Sequence, residues 1–497
     1  MVNLPRSGAL DAAASTGKIL VVGAGLAGLV VAYRLRRAGV VVDLIEARDR
    51  PGGRVLTVPH ALGTGIAAEL GGEAFDSEHA ASLTLAQALG LPIVDLWPLL
   101  PNAPDTVFWA GQYGDVKALT AEFSARLRTR LADIQVVQQL IGTAQGTPES
   151  MALDALSIPA YLAQIGASPE LQAFVSLAYT IKYGLDAADQ SCLNLLCFFR
   201  DQQDCAFLFG YSDERFYIRG GNGHLPQALA AEVADCLRLD TPLAALEEAP
   251  EGGYWATVGQ GEAVTKQLYD RVVLTLPFTV LRHIPLRVKL SARKRRVIEQ
   301  LGTNHAIKLI TAYGEKPWRS HPSNGLVYTD LPFQMGWEAS DSLWSEDEGL
   351  LVAYPGGEAG QALAQMDLTR ATQTTRDQLD QVWPGMAAAA LPGDGLRSDW
   401  GADPHSLGGY TCYRVGEWSA FFGSEAPREG NLFFAGEHCS RVYQGYMEGA
   451  CETAEQVAWE ILTDSKLPGA AEQQARLQHQ AVLRKAGFAL HGEEQYS

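Results

Sequence analysis

Long apolar runs are missing from this chain of 497 residues. No stretch approaches the roughly 18 to 20 apolar residues that cross a bilayer as a helix, so no membrane span is expected. Basic residues are in deficit, with 39 Lys and Arg against 57 Asp and Glu and a formal charge of −18. That balance speaks against nucleic acid or an anionic membrane surface as a partner, because holding phosphates needs clustered cations. It favours cationic substrates, although such a charge also simply keeps a protein in solution. Cysteine is sparse and odd in number: Cys192, Cys197, Cys205, Cys236, Cys412, Cys439 and Cys451 are scattered and mostly set in apolar sequence. They read as reduced core residues, neither a disulfide framework nor a thiolate metal site. The ten histidines show no ligand spacing, so no metal is expected. Residues 1–17 hold no apolar stretch of secretory length, which points to the cytoplasm unless an export signal has been removed. Internal repeats and low-complexity linkers are also missing, and the sequence leaves the oligomeric state open, a homodimer included.

What is present begins at Lys18-Ile-Leu-Val-Val22, which runs into Gly23-Ala-Gly-Leu-Ala-Gly28, a helix from about Ala27 to Ala38, and a second apolar run from Val40 to Ile45 closed by Glu46. Strand, glycine turn, helix and strand is the order in which a dinucleotide is held. Gly23 permits the tight turn, Gly25 lets the backbone approach a pyrophosphate, and Gly28 lets the helix pack closely on the strand. The phosphates then lie at the positive end of a helix that Ala27 opens. Glu46 sits where an acidic residue accepts the ribose hydroxyls, and its charge argues against a 2′-phosphate.

A glycine turn alone is weak evidence, so the rest of the chain has to decide which dinucleotide is bound. Arg50-Pro-Gly-Gly53-Arg54 and Ala68-Glu-Leu-Gly71-Gly72 follow shortly after Glu46. Paired glycines with an arginine can bring a second turn of backbone to the same pyrophosphate, the guanidinium forking onto an oxygen. Near the other end, Asn431-Leu-Phe-Phe-Ala-Gly436-Glu437 reads as a buried strand with a polar tip, and Gly445-Tyr446-Met447-Glu-Gly-Ala450 precedes a helix reaching about Leu462. Between them stand Gly220-Gly221 with Leu225-Pro226, Thr241-Pro242-Leu243, Leu274-Thr-Leu-Pro277, Ala306-Ile-Lys308-Leu-Ile310, Pro317-Trp318 and Gly408-Gly409-Tyr410. In this order, from about residue 18 to 462, they resemble the flavin-containing amine oxidases, the family of monoamine, polyamine and L-amino-acid oxidases.

The resemblance implies an α/β protein in which a Rossmann-like FAD-binding domain of the glutathione-reductase type is interleaved with an α+β substrate-binding domain. The FAD-binding pieces would be 1–78, 210–285 and 398–465, the substrate-binding pieces 79–209 (a helical arm) and 286–397, with 466–497 a polar tail. Periodicity supports the arm. From Ala80 to Phe199 the pattern is helical, with Leu119, Phe123, Leu127, Leu131, Ile134 and Ile141 on one apolar stripe, and Ser168-Pro169 and Asp186 as helix starts. By resemblance, Leu243 meets the adenine, Gly436 and Glu437 reach the ribityl chain, and Gly445, Tyr446 and Met447 present backbone N–H groups to the isoalloxazine. The position that carries a flavin-linked cysteine in monoamine oxidases holds Tyr410, so FAD is expected to be non-covalent.

The chemistry implied is oxidative deamination of a small amine or L-amino acid, with O2 as acceptor and hydrogen peroxide as product. The cofactor supplies the difficult step, and the protein positions the substrate and keeps its amine neutral. Lys308 shares a strand face with Ala306 and Ile310, a lone ammonium in a buried run that must be paired, reach the surface or lose its charge. The resemblance gives it the catalytic role of holding a water beside the flavin. Tyr446 is implied as one aromatic wall of the substrate site, and Tyr443 is a candidate for the other. No arginine follows Gly71-Gly72 where some relatives bind a substrate carboxylate. Arg200 and Arg215 remain as candidates for that role, and Glu73, Asp76 and Glu338 are either binders of a second amine or ordinary cap or surface carboxylates. Two competing functions stay open at this level: a dehydrogenase or desaturase of the same architecture that passes electrons elsewhere, and a non-catalytic flavoprotein.

Overall fold

A computed structural model describes residues 17–201, 203–204, 212–467 and 469–490; Cys205 and both chain ends, 1–16 and 491–497, lie outside the described residues. Ile19–Val22 is fully buried because both its edges and both its faces are covered. It pairs in parallel with Val42–Ile45 on one side and Arg271–Leu274 on the other. Leu237–Arg238 and Leu432–Phe434 complete a five-stranded parallel sheet at its two edges. A sheet covered on both faces requires near-continuous apolar strands, which is why these segments do not alternate.

Successive side chains of the central strand enter different layers. Ile19 and Val21 join the cluster that includes Leu29, Val30, Ala454 and Ile461, from the helices Leu26–Arg37 and Met447–Asp464. Leu20 and Val22 pack on the other side with Leu246, Ala256 and Val258, from the sheet ordered Thr265–Tyr269, Tyr254–Val258, Leu243–Glu248, Leu286–Arg287. The helices Leu26–Arg37 and Met447–Asp464 are joined by the buried pair Arg34–Glu455, with Nη2 to Oε1 at 2.7 Å. Breaking such a pair from one side costs about 3–5 kcal/mol, because the remaining charge stays buried.

A further sheet of seven strands runs in the order Leu396–Asp399, Ile307–Tyr313, Gly349–Ala353, Met335–Glu338, Val327–Thr329, Thr106–Trp109, Gln112–Gly114. Every residue of Ile307–Tyr313 is buried. Ile310 and Ala312 pack on Ala61, Ile66 and Ala68, while Ile307 and Leu309 face Leu363 and Ala371. The strand's alternation therefore turns Lys308 toward the 61–73 segment.

The arm departs from a purely helical reading. Its helices Lys117–Arg128, Leu131–Thr143, Pro148–Asp154, Ile158–Gln164 and Pro169–Tyr183 bury Phe123, Leu127 and Ile134 of the expected stripe, with Leu119, Leu131 and Ile141 half-buried against them. Ser168 caps Pro169–Tyr183 by accepting the N–H of Leu171. Between Ala80–Ala88 and these helices, however, lie the strands Ile93–Asp95, Thr106–Trp109 and Gln112–Gly114. Thr106-Val-Phe-Trp109 is β-branched and aromatic, and Ala110 and Gly111 both take positive φ, 50° and 75°, so the run folds back as a hairpin. Asp186 starts no helix of its own. Its carboxylate accepts the N–H of Glu358 at 3.1 Å, at the start of the distant helix Gly357–Gln365.

The polar C-terminal stretch holds the helix Gly469–Ala486. Arg484 reaches Glu452 at 2.8 Å and Glu448 at 3.5 Å, and Phe488 is buried edge-on against Phe216. Among the described residues no helix is long and apolar enough to cross a membrane.

Candidate active site

One cavity of about 1190 Å³ runs between the parallel sheet and the seven-stranded sheet. At one end Gly23, with φ of 99°, ends the first strand. A Cβ on Gly28 would lie 1.8 Å from the carbonyl oxygen of Gly23, so only glycine lets the helix start this close to the strand. A Cβ on Gly25 would meet nothing within 4 Å, because that position opens on the cavity. The second glycine turn closes over the first. Gly52 donates its N–H to the Ala24 carbonyl at 2.8 Å, and a Cβ on Gly53 would come within 3.3 Å of the Gly25 Cα.

Glu46 is buried beside this cradle and accepts the N–H groups of Ala24 at 2.7 Å and Arg48 at 3.0 Å. Thr241, Pro242 and Leu243 line the same end. The cradle, the open position at Gly25 and a carboxylate one turn away fit the two phosphates and one ribose of a dinucleotide.

Farther along, Arg54 bonds the Gly409 carbonyl and lies 3.1 Å from Glu437, so a first-quarter guanidinium holds a last-quarter carbonyl and carboxylate together. Burial alone would raise the Glu437 carboxyl, but Arg54, His438 and the Gly445 N–H together bring it below its ordinary value. The N–H of Gly445 donates to Glu437 at 2.9 Å and that of Tyr446 to the Tyr443 carbonyl at 3.2 Å. Both were expected to face the ring system, and both are engaged within the protein. What opens on the cavity here is the first turn of Met447–Asp464, which has no side-chain cap and carries the positive end of the helix dipole. Gly71 and Gly72 also line the cavity. A Cβ on Gly71 would strike the Arg54 carbonyl oxygen at 1.7 Å, and one on Gly72 the Met447 side chain at 2.9 Å. The cavity thus brings together Gly23, Gly25, Ala27, Glu46, Gly53, Arg54, Gly71, Gly72, Leu243, Gly436, Glu437, Gly445, Tyr446, Met447 and Lys308. Gly28 stands behind the wall as a packing residue.

Lys308 is 7% exposed. Its Nζ donates to the carbonyls of Glu69 at 3.1 Å and Gly71 at 2.9 Å and to the Glu73 carboxylate at 2.9 Å, and it lies 5.4 Å from the Trp337 ring centre. The buried lysine is therefore paired. Burial would raise the Glu73 carboxyl, but the Lys308 charge, with Ser340 and Trp337, holds it below its ordinary value. Glu73, read from sequence as an amine binder or as a cap or surface carboxylate, is the partner of Lys308. Glu338 is committed as well, to Lys316 at 2.8 Å, to Arg319 and to the Trp318 indole. Asp76 accepts the hydroxyl of Ser212 and the N–H of Glu214, and burial pushes its carboxyl up to about 6.

Tyr446 lines the cavity as expected, set edge-on to His79 at 5.1 Å. Tyr443 does not. It packs between His79 and Arg484, 5.4 Å from each, outside the cavity. Its place as second aromatic is taken by Tyr410, which lies against Gly445, meets the Tyr354 hydroxyl at 3.2 Å and donates to the Lys182 carbonyl at 2.7 Å. Arg200 pairs with Glu78 and Asp204, and Arg215 with Asp95; neither lines the cavity.

The groups that sequence reasoning missed are Lys182, Glu214, Trp337 and Tyr354, all lining the substrate end. Lys182 had a signal. It is an isolated charge in the run Tyr179-Thr-Ile-Lys-Tyr183, the same feature that singled out Lys308.

The model of flavin-containing amine oxidoreductases matches this sequence over residues 26–462, from the helix Leu26–Arg37 after the first glycine turn to the helix Met447–Asp464. The chain belongs to that family, and FAD is its cofactor. The sequence is 28% identical over 482 residues to the Arabidopsis thaliana protein FLOWERING LOCUS D, covering 92% of this chain but 57% of that one. It is 27% identical over 498 residues to the flavin-dependent L-tryptophan oxidase RebO of Lentzea aerocolonigenes, covering 88% and 96%. The chain thus spans little more than half of the first relative and nearly all of the second. In fold it is similar to cyclohexylamine oxidase from Brevibacterium oxydans, with a TM-score of 0.78, 20% identity and coverage of 90% and 99%. This oxidoreductase thus has the Rossmann-like FAD domain and substrate domain of its family.

Proposed function

We propose that this protein oxidises the C–N bond of a small amine or L-amino acid with O2. The amine and O2 give an imine and hydrogen peroxide, and water then converts the imine to a carbonyl compound and ammonia. One observation carries this reading: the dinucleotide cradle and the buried Lys308 open on the same cavity. FAD bound in the cradle, without a covalent link, supplies the two-electron acceptor. None of the six described cysteines, all unpaired, lines the cavity.

In this reading 1–78, 210–285 and 398–465 hold the cofactor and 79–209 and 286–397 the substrate. Lys308, whose three N–H donors go to two carbonyls and Glu73, holds a water at the reacting end by exchanging one of these bonds for it. Asp76, raised to about 6 by burial, takes a proton from an incoming ammonium, since only a neutral amine can be oxidised. Tyr446 and Tyr410 flank the substrate as aromatic walls, and Trp337 and Tyr354 keep water from the imine. The test is a screen of monoamines, polyamines and L-amino acids for oxygen uptake matched mole for mole by peroxide and ammonia. Oxygen uptake with at least one class is expected; a yellow protein that consumes no oxygen with any of them would overturn the reading.

A further inference from the structure

Most charges lining the cavity already have partners. Arg48 holds Asp403, Arg54 holds Glu437, and Lys308 holds Glu73. Lys182 differs. Its Nζ sits 4.0 Å from the Phe198 ring centre and makes no hydrogen bond or ion pair among the described residues. Glu214 is its counterpart: every other acidic residue lining the cavity accepts at least one hydrogen bond, whereas the Glu214 carboxylate accepts none among the described residues. Its backbone is left-handed, with φ of 40°, a conformation that a non-glycine residue adopts at a cost and that is often stored at functional positions. The N–H of Glu214 is tied to Asp76 at 2.8 Å, which holds that conformation. Lys182 and Glu214 feel each other's field without closing into a pair. Lys182 is half-buried and Glu214 exposed at the cavity wall, so both charges stand open to a ligand that bridges them.

We propose that Lys182 and Glu214 form a two-point clasp for the carboxylate and the amine of an α-amino acid, so that a zwitterion, in preference to a simple amine, is the substrate. The proposal rests on the oxidase reading above and names its substrate class. A monoamine satisfies Glu214 and leaves Lys182 unpaired beside a second positive charge, and a diamine worsens that repulsion. Ile181, Phe198, Leu326, Tyr328, Met335 and Trp337 also line the cavity and favour an apolar side chain.

The test compares amino acids with their decarboxylated amines on the FAD-loaded enzyme: phenylalanine with 2-phenylethylamine, tryptophan with tryptamine, leucine with isopentylamine. Calorimetric binding of 3-phenylpropanoate, a carboxylate without an amine, runs in parallel. Lys182→Met should cut kcat/KM for the amino acids about 100-fold, mainly through KM, and weaken 3-phenylpropanoate similarly, the loss expected for one charge-assisted bond. The amines should be unaffected or improved, Lys182→Arg should recover the amino acids to within about tenfold, and FAD content should not change. Wild-type enzyme that oxidises the amines but not the amino acids, or Lys182→Met that impairs both equally, would overturn the clasp and leave the oxidase reading standing. Oxidation of no compound at all would count against the oxidase reading, and 3-phenylpropanoate binding would still decide the role of Lys182.

Discussion

The two ends of the cavity are built by opposite means. The cofactor end is made of backbone: Gly23, Gly25, Gly28, Gly53 and Gly71 lie where a side chain would collide or fill the space. The substrate end is made of side chains, with Lys308, Glu73, Asp76, Lys182 and Glu214 set among aromatics. Backbone surfaces demand particular residues at fixed local spacing, whereas a side-chain site is assembled from segments far apart in sequence. Substitutions should therefore separate binding of FAD from turnover.

The largest separation is expected within the glycine turn itself. Gly28→Val places a Cβ 1.8 Å from the Gly23 carbonyl oxygen and should destabilise the fold by about 4 kcal/mol or more, read as a fall in melting temperature. Gly25→Val meets nothing within 4 Å, so the FAD-free protein should melt as the wild type does. Its side chain fills the phosphate position, and FAD affinity should fall by about 100-fold or more in a fluorescence titration. Equal effects of the two substitutions would erase the distinction between packing glycine and binding glycine.

At the substrate end, Lys308→Met should retain FAD and lose about 100-fold or more in turnover, the scale of a positioned proton-transfer group. It also leaves Glu73 buried without its cation, for an expected loss of about 3 kcal/mol of stability. Adding Glu73→Gln should restore most of the melting temperature and none of the turnover. Unchanged oxygen consumption in Lys308→Met would refute its role.

His438 lies behind the cofactor end with neither ring nitrogen hydrogen-bonded among the described residues. Burial lowers it from 6.5 to about 4. Between those values the unfolded chain binds a proton that the folded chain excludes, so the His438 contribution to stability falls as pH drops from about 6.5 to about 4. Relative to His438→Gln, the wild type should lose about 3 kcal/mol across that window, measured by denaturant unfolding at each pH. A constant difference between the two proteins would mean that His438 is protonated or solvated in the fold. The smallest effect is expected at Tyr446, where Leu should lower kcat/KM about tenfold, the contribution of one aromatic wall, without changing FAD content.

The difference between the two ends also governed what the sequence disclosed. The strand, glycine turn, helix and Glu46 could be read directly, because each imposes a local residue choice, and the last-quarter strand and helix were equally legible. Lys308 stood out as a charge in an apolar strand, but its partner Glu73 did not, since the pair is set by the packing of the 61–73 segment against the seven-stranded sheet. Tyr443 was a candidate for the second wall, with an ordinary loop aromatic as the alternative. The turn between Tyr443 and Tyr446 sends it outward to Arg484, and Tyr410, from another segment, takes the position. Thr106–Trp109 was absorbed into a helical arm because four residues carry too little periodicity to compete with a long helical pattern around them.

The central claim is that one cavity holds FAD in the glycine cradle and delivers an amine to it beside Lys308. Anaerobic titration of the purified protein with amines and amino acids, followed in the visible flavin band, tests it most directly. The account predicts a yellow protein whose FAD is released by acid and whose band bleaches with one of these substrates and returns on admitting oxygen. A colourless protein that takes up no FAD, or a bound flavin that no amine or amino acid bleaches, would contradict it.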